Sequence, residues 1–192
     1  MRSYQVDMCN GPIFKKLIIF AIPLILSGCL QLLFNAADII VVGRFTGSQA
    51  LAAVGSTSAL INLLVNLFIG ISVGANVVLG KYIGARDDEN ASKTVHTAIF
   101  ISIVGGILMI FIGVFFSKPL LQLMATPEDV IDLSSLYMRI YFVGMPFFML
   151  YNFGAAILRS IGDTKRPLYF LLLFGIINVV FNLFFVIVLH MG

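Results

Sequence analysis

Asp38 lies in the run Asn35-Ala36-Ala37-Asp38-Ile39-Ile40-Val41-Val42, whereas every other acidic residue falls in a polar connection or at the edge of an apolar stretch. A carboxylate facing an aqueous cavity inside a membrane takes up a proton or a cation, and intramembrane carboxylates default to that role. The other reading is an interfacial aspartate that reaches water directly. Ser27, Gln31, Asn35 and Asp38 are spaced four, four and three residues apart, so a helix carries them on one side. Amides turned toward lipid lose their hydrogen-bond partners, and the stripe must therefore face other helices or water. For its neutral members, interhelical hydrogen bonding and cavity lining both stay open. Ser58, Asn62 and Asn66 repeat the four-residue spacing in the next apolar run, where Gly70 and Gly74 favour close helix packing. Asn178 and Asn182 stand one turn apart in an otherwise apolar run. Two amide oxygens beside a carboxylate make an oxygen-rich pocket suited to a hard cation or a hydrated proton.

No other set of residues has catalytic spacing. The chain has no HExxH, no paired catalytic carboxylates and no phosphate-binding loop. His96 and His190 sit near the edges of apolar stretches and share no ligand spacing. Nothing supports an enzyme, and no cofactor is implied. Cys9 belongs to a polar tail and Cys29 to an apolar run. A disulfide would have to join that tail to a membrane interior, so both read as free thiols. The 12 basic and 9 acidic side chains leave a net charge of +3, with no basic patch interleaved with aromatics. Nucleic acid is not an expected partner.

The elements that carry these residues follow from composition. Of 192 residues, 60% are apolar and 11% charged, and the mean hydropathy is +1.05. Soluble domains run to about a quarter charged, so lipid is the better solvent for this surface. Crossing the hydrocarbon takes about 20 mostly apolar residues. Five stretches reach that length, at residues 13–42, 51–83, 91–116, 131–161 and 168–189. The first is too long for a signal-peptide core of about 7–15 residues, and it reads as a span that is kept. Pro12, Gly43, Gly47, Gly84, Gly162 and Pro167 punctuate the span ends. Asp87, Asp88 and Glu89 suit the start of span three. Thr126-Pro127-Glu128-Asp129 reads as an N-cap, a first-turn proline and two acids facing the helix dipole. Pro23 and Pro146 interrupt spans one and four, where each removes a backbone hydrogen bond and tends to kink its helix.

Orientation follows from the basic residues of the connections. With the N-terminus inside, Arg2, Lys15, Lys16, Lys81, Arg86, Lys93, Arg159, Lys165 and Arg166 are cytoplasmic, and Arg44, Lys118 and Arg139 are external. That bias predicts a cytoplasmic N-terminus in a multi-pass protein of the plasma membrane, with Arg139 snorkelling to the outer interface. The expected fold class is all-α, a polytopic bundle of five spans joined by short loops. The chain stops directly after span five, which reads as a piece of a longer protein.

The run from Pro23-Leu24-Ile25-Leu26-Ser27 through Gln31-Leu32-Leu33-Phe34-Asn35-Ala36-Ala37-Asp38 to Val42-Gly43-Arg44 resembles the first helix of multidrug and toxic compound extrusion (MATE) transporters. Ala50-Leu51-Ala52-Ala53-Val54-Gly55, Gly84-Ala85-Arg86, Met124-Ala125-Thr126-Pro127 and the stretch Leu158-Arg159-Ser160-Ile161-Gly162-Asp163-Thr164-Lys165-Arg166-Pro167 continue the resemblance in order. It implies twelve helices in two six-helix lobes, of which residues 1–192 form part of the N-terminal lobe, with the remaining half of the transporter and membrane lipid as partners. It also implies a secondary antiporter that expels organic cations and amphipathic drugs in exchange for protons or sodium ions. Asp38 takes the position of the first-helix aspartate associated with coupling-ion binding, and Asn178 that of the fifth-helix asparagine. Asn182 stands where one branch of the family has a second aspartate, so a two-aspartate proton network is in doubt, and sodium at Asp38, Asn178 and Asn182 is the metal alternative. Gln31, with Phe34 and Asn35, makes the implied substrate cavity. Pro23 matches a proline proposed to bend as a hinge. Two further readings stand beside this one: a flippase of lipid-linked saccharides on a related fold, and a non-transporting truncated membrane protein.

Overall fold

In lipid, backbone amides can be satisfied only by bonds within the protein, so long apolar runs become helices. The computed structural model describes residues 11–45 and 47–188, and among these it is a helical bundle without strands. Arg2, Cys9, His190 and the last residue of the expected fifth span lie outside the described residues. The elements are α1 (Ile13–Phe45), α2 (Ser48–Gly84), α3 (Asp88–Leu123), α4 (Glu128–Val143), α5 (Met145–Ser160) and α6 (Lys165–Leu183), the last continuing into a π-helical turn, Phe184–Val188. At 1.5 Å per residue the 33 residues of α1 reach about 50 Å. That exceeds the hydrocarbon thickness of about 30 Å, so its ends extend into the interface. The helices α1, α2, α3 and α6 are each long and apolar enough to cross a membrane, and α4 with α5 reaches that length as a pair bent by 47°.

The two prolines behave differently. Span four, expected as one helix over 131–161, is two helices of 16 residues each, broken at Gly144 with Pro146 at the start of the second. Proline has no N–H to give and its ring collides with the preceding turn. The bend is seated on α3, where a Cβ added to Gly106 would lie 2.5 Å from Pro146 Cα. Pro23, by contrast, sits inside an α1 that stays continuous from end to end. Its carbonyl accepts the Ser27 hydroxyl at 2.8 Å.

Three helix ends share one construction. After α5, Gly162 turns to φ +82, its N–H reaches Arg159 O at 3.0 Å, and the Asp163 N–H reaches Leu158 O at 2.9 Å. This is the paired closure of a Schellman motif. Arg86 (φ +58) closes α2 and Ala125 (φ +54) closes α3 in the same way. Gly84 does end α2, yet the left-handed residue is Arg86, two positions later. The start of α3 is as expected, with Asp87 as N-cap accepting the Asn90 N–H. The start of α4 is shifted by one residue. Pro127 rather than Thr126 holds the cap position, without a side-chain cap bond, and Glu128 and Asp129 fill the first turn.

Association of helices in lipid gains little from apolar burial alone, so close packing and hydrogen bonds must carry it. Glycines on α3 receive large side chains from its neighbours: Gly105 meets the Phe68 ring of α2, and Gly113 meets Phe142 of α4. Met109, Leu121, Met138, Phe142, Met145, Met149 and Phe153 fill the resulting core. Hydroxyls are paired across it, buried Ser117 with buried Ser135 at 2.9 Å and half-buried Ser56 with buried Ser134 at 3.0 Å. Arg139, expected to snorkel outward, is exposed and also donates its Nε–H to Ser117 Oγ at 3.2 Å. Outside this group α1 packs chiefly along α6, with Phe34 lying over Gly175. Many large apolar side chains remain exposed, Phe147 at 79% and Ile13 at 77% among them, as lipid-facing surface requires.

Candidate ion-binding cavity

Four helices converge on Asp38. It lies seven residues before the end of α1 and is half-buried. Opposite it on α6, Asn182 donates from Nδ2 to Asp38 Oδ1 at 2.7 Å, across 144 residues of sequence. The pair opens into a cavity of about 570 Å³. Asn35 and Asp38 line it from α1, Ser58 and Asn62 from α2, Tyr137 and Tyr141 from α4, and Asn178 and Asn182 from α6. Ile39, Leu51, Val54 and Ile61 complete the wall.

The α1 stripe divides along its length. Ser27 is buried, and its hydroxyl is engaged by the Pro23 carbonyl. Gln31 is exposed and is not among the cavity residues. Seven residues separate it from Asp38, which is about 10 Å along the helix axis. Phe34 also lies outside the lining, because its ring is pressed against Gly175, where any Cβ would collide with it. Its role in the fold is to hold α1 to α6 at the height of the cavity. Pro23 is buried more than two turns farther down α1. Asp38, Asn178, Asn182 and Asn35 are thus brought together, and Gln31, Phe34 and Pro23 stand apart from them.

The two tyrosines were not foreseen from the sequence. They stand four residues apart on α4, with ring centroids 6.3 Å from each other, so both reach the same side of that helix. The detectable signal was two phenols one turn apart in an apolar span, since a hydroxyl in lipid needs a partner. Ser58 and Asn62 carried only a spacing that packing explained as well. Ser58 Oγ bonds back to the Val54 carbonyl at 2.7 Å, which leaves its oxygen able to accept from the cavity. The donor set is therefore one carboxylate, neutral amides, a serine hydroxyl and two phenols. Among the described residues no Lys or Arg lines the cavity. Among the described residues no three His, Cys, Asp or Glu side chains cluster as a transition-metal site would need. Such a set favours a single positive charge, as a proton on the carboxylate or as a hard cation among oxygens.

The MatE family model matches residues 23–184. The chain is 36% identical over 167 residues to "Probable multidrug resistance protein YoeA" of Bacillus subtilis (strain 168), an alignment covering 87% of this chain and 36% of that protein. It is 28% identical over 175 residues to a "FAD transporter" of Shewanella oneidensis, covering 91% of this chain and 38% of that one. The crystal structure of MATE in complex with MaD3S superposes with a TM-score of 0.91 at 26% identity, covering 100% of this chain and 43% of the other. The chain spans less than half the length of these relatives.

Proposed function

This chain belongs to the MatE family, and we propose that in its whole protein it supplies the ion-coupling site of a secondary antiporter exporting organic cations and amphipathic drugs in exchange for protons or sodium ions. The observation that supports this reading is the Asp38–Asn182 hydrogen bond of 2.7 Å at the wall of a cavity whose other described lining residues are neutral. One carboxylate there balances one positive charge at a time. A proton on Asp38 neutralises it directly. A sodium ion instead requires Asn182 to turn its amide oxygen inward, with Asn178 supplying a second neutral oxygen. A cationic drug competes for the same negative charge, which makes exchange rather than joint transport the outcome. Tyr137 and Tyr141 offer π-faces to an organic cation. Alternating access is then rocking of this lobe against the rest of the transporter, in the plasma membrane with the N-terminus cytoplasmic.

The test is Asp38→Asn in the full-length protein reconstituted into liposomes. Drug efflux driven by a pH or sodium gradient is expected to be lost, and which gradient drives the wild type names the ion. Efflux with its ion dependence intact in the variant overturns the reading. An anionic cargo, suggested by the name of the Shewanella relative, or a phosphate-bearing lipid-linked saccharide, would call for cationic side chains, and the described residues lining this cavity include none.

A further inference from the structure

A second cavity, of about 340 Å³, lies between α5 and α6 at the opposite end of the bundle, away from Asp38. Leu150, Gly154, Leu158, Pro167 and Phe170 are among its walls. Its one phenol, Tyr151, donates to the Pro167 carbonyl at 3.1 Å, so the groove presents an almost wholly apolar surface. Basic residues adjoin its walls along the chain, Arg159 next to Leu158 and Arg166 next to Pro167. Arg159 lies in the last turn of α5, and Lys165 and Arg166 lie in the first turn of α6. The one acid nearby, Asp163, is fully buried, accepts the Arg166 N–H at 3.1 Å and lies 3.2 Å from its guanidinium. The Arg159 Nε is buried without a hydrogen-bond partner among the described residues. Helical side chains lean toward the N-terminus, and Arg159, half-buried at the end of α5, follows directly on the groove residues Ile157 and Leu158. A guanidinium drawn toward apolar surroundings with an open donor calls for an anion.

We propose that this groove seats one anionic phospholipid, with an acyl chain between α5 and α6 and the headgroup phosphate on Arg159 and Lys165. The two halves of the site match the two halves of that ligand. An organic cation is repelled by these basic side chains, and a zwitterionic lipid lacks the net charge that clustered basic side chains at a membrane face select. The position fits as well, because the cations sit at the ends of two spans, where headgroups lie. The inference does not rest on the drug-export reading, since it is read out in lipid retention and not in transport.

The experiment is native mass spectrometry of the full-length protein in detergent doped with phosphatidylglycerol or phosphatidylcholine. Wild type is expected to retain phosphatidylglycerol at about fivefold lower lipid concentration than phosphatidylcholine. Arg159→Lys should keep that preference and Arg159→Gln should abolish it. Gly154→Leu tests the groove independently of charge. Outside its own helix backbone and chain neighbours nothing lies within 4 Å of a Cβ built at Gly154, which lines the groove, so a leucine there has open space to start from and retention of both lipids should fall in a variant of native helicity. Equal retention of the two lipids by wild type, or undiminished phosphatidylglycerol on Gly154→Leu, overturns the proposal. So does a lasting preference in an Arg159→Gln protein of native helicity. Displacement of phosphatidylglycerol by inorganic phosphate would reassign the site to a soluble anion, and thereby also overturn it.

Discussion

Truncating Asn182 tests whether its bond to Asp38 holds α1 against α6 as well as shaping the cavity. The bond is 2.7 Å long, and the helices it joins are otherwise clamped at this height by Phe34 over Gly175. A hydrogen bond to a charged acceptor contributes about 1.5–3 kcal/mol. Both partners are only half-buried, and the cavity of about 570 Å³ beside them is wide enough for water to replace a missing donor. That places the coupling near the lower bound, at about 1.5 kcal/mol. The assay is a double-mutant cycle of Asp38→Ala, Asn182→Ala and the double variant, followed by reversible unfolding in mixed micelles. The cycle separates the pair from the space that each truncation leaves behind. Asn182→Asp adds a sharper arm. It keeps the shape but sets two acceptors face to face, so it should destabilise more than alanine does. A coupling within about 0.5 kcal/mol of zero, or an aspartate variant as stable as wild type, refutes the reasoning.

Packing in the bundle predicts a contrast between two glycines. Gly113→Ala drives a Cβ into the Phe142 side chain and should cost about 1–3 kcal/mol or more. Gly80→Ala meets nothing within 4 Å and should stabilise by about 0.5–1 kcal/mol; unfolding of the two variants side by side checks both. At the helix ends, Gly162→Ala forces φ +82 on an L-residue, a cost of about 1–2 kcal/mol. Ala125→Gly relieves φ +54 and should raise the unfolding midpoint. The last prediction concerns pH. The Asn90 side chain and N–H, donating at 2.7 and 3.1 Å, hold the Asp87 carboxyl below its ordinary 3.8. A carboxyl lowered in the folded state contributes stability that is fully present above 3.8 and lost as pH falls through its lower folded value. Acid titration of wild type should show that loss, and Asp87→Asn should be flatter over the same window.

What the sequence determined by itself was local or compositional. Charge scarcity made the surface a lipid-facing one, and apolar run lengths set where helices lie, because a buried backbone must bond to itself. Asp87 and Gly162 marked helix ends because caps depend only on neighbours in the chain. Asp38 was legible as an unusual group because an isolated acid in an apolar run is visible without any fold. The tertiary structure decided what lies beside it. The Asp38–Asn182 bond joins residues 144 apart, and no periodicity specifies how α1 is rotated against α6. That rotation is set where Phe34 meets Gly175, a contact between residues on different helices. The same lateral packing brought Tyr137 and Tyr141 to the cavity and left Gln31 and Phe34 out of its lining. It also explains the prolines. A proline weakens any helix locally, but span four breaks where Gly106 of α3 makes room for Pro146, whereas α1 runs through Pro23 unbroken.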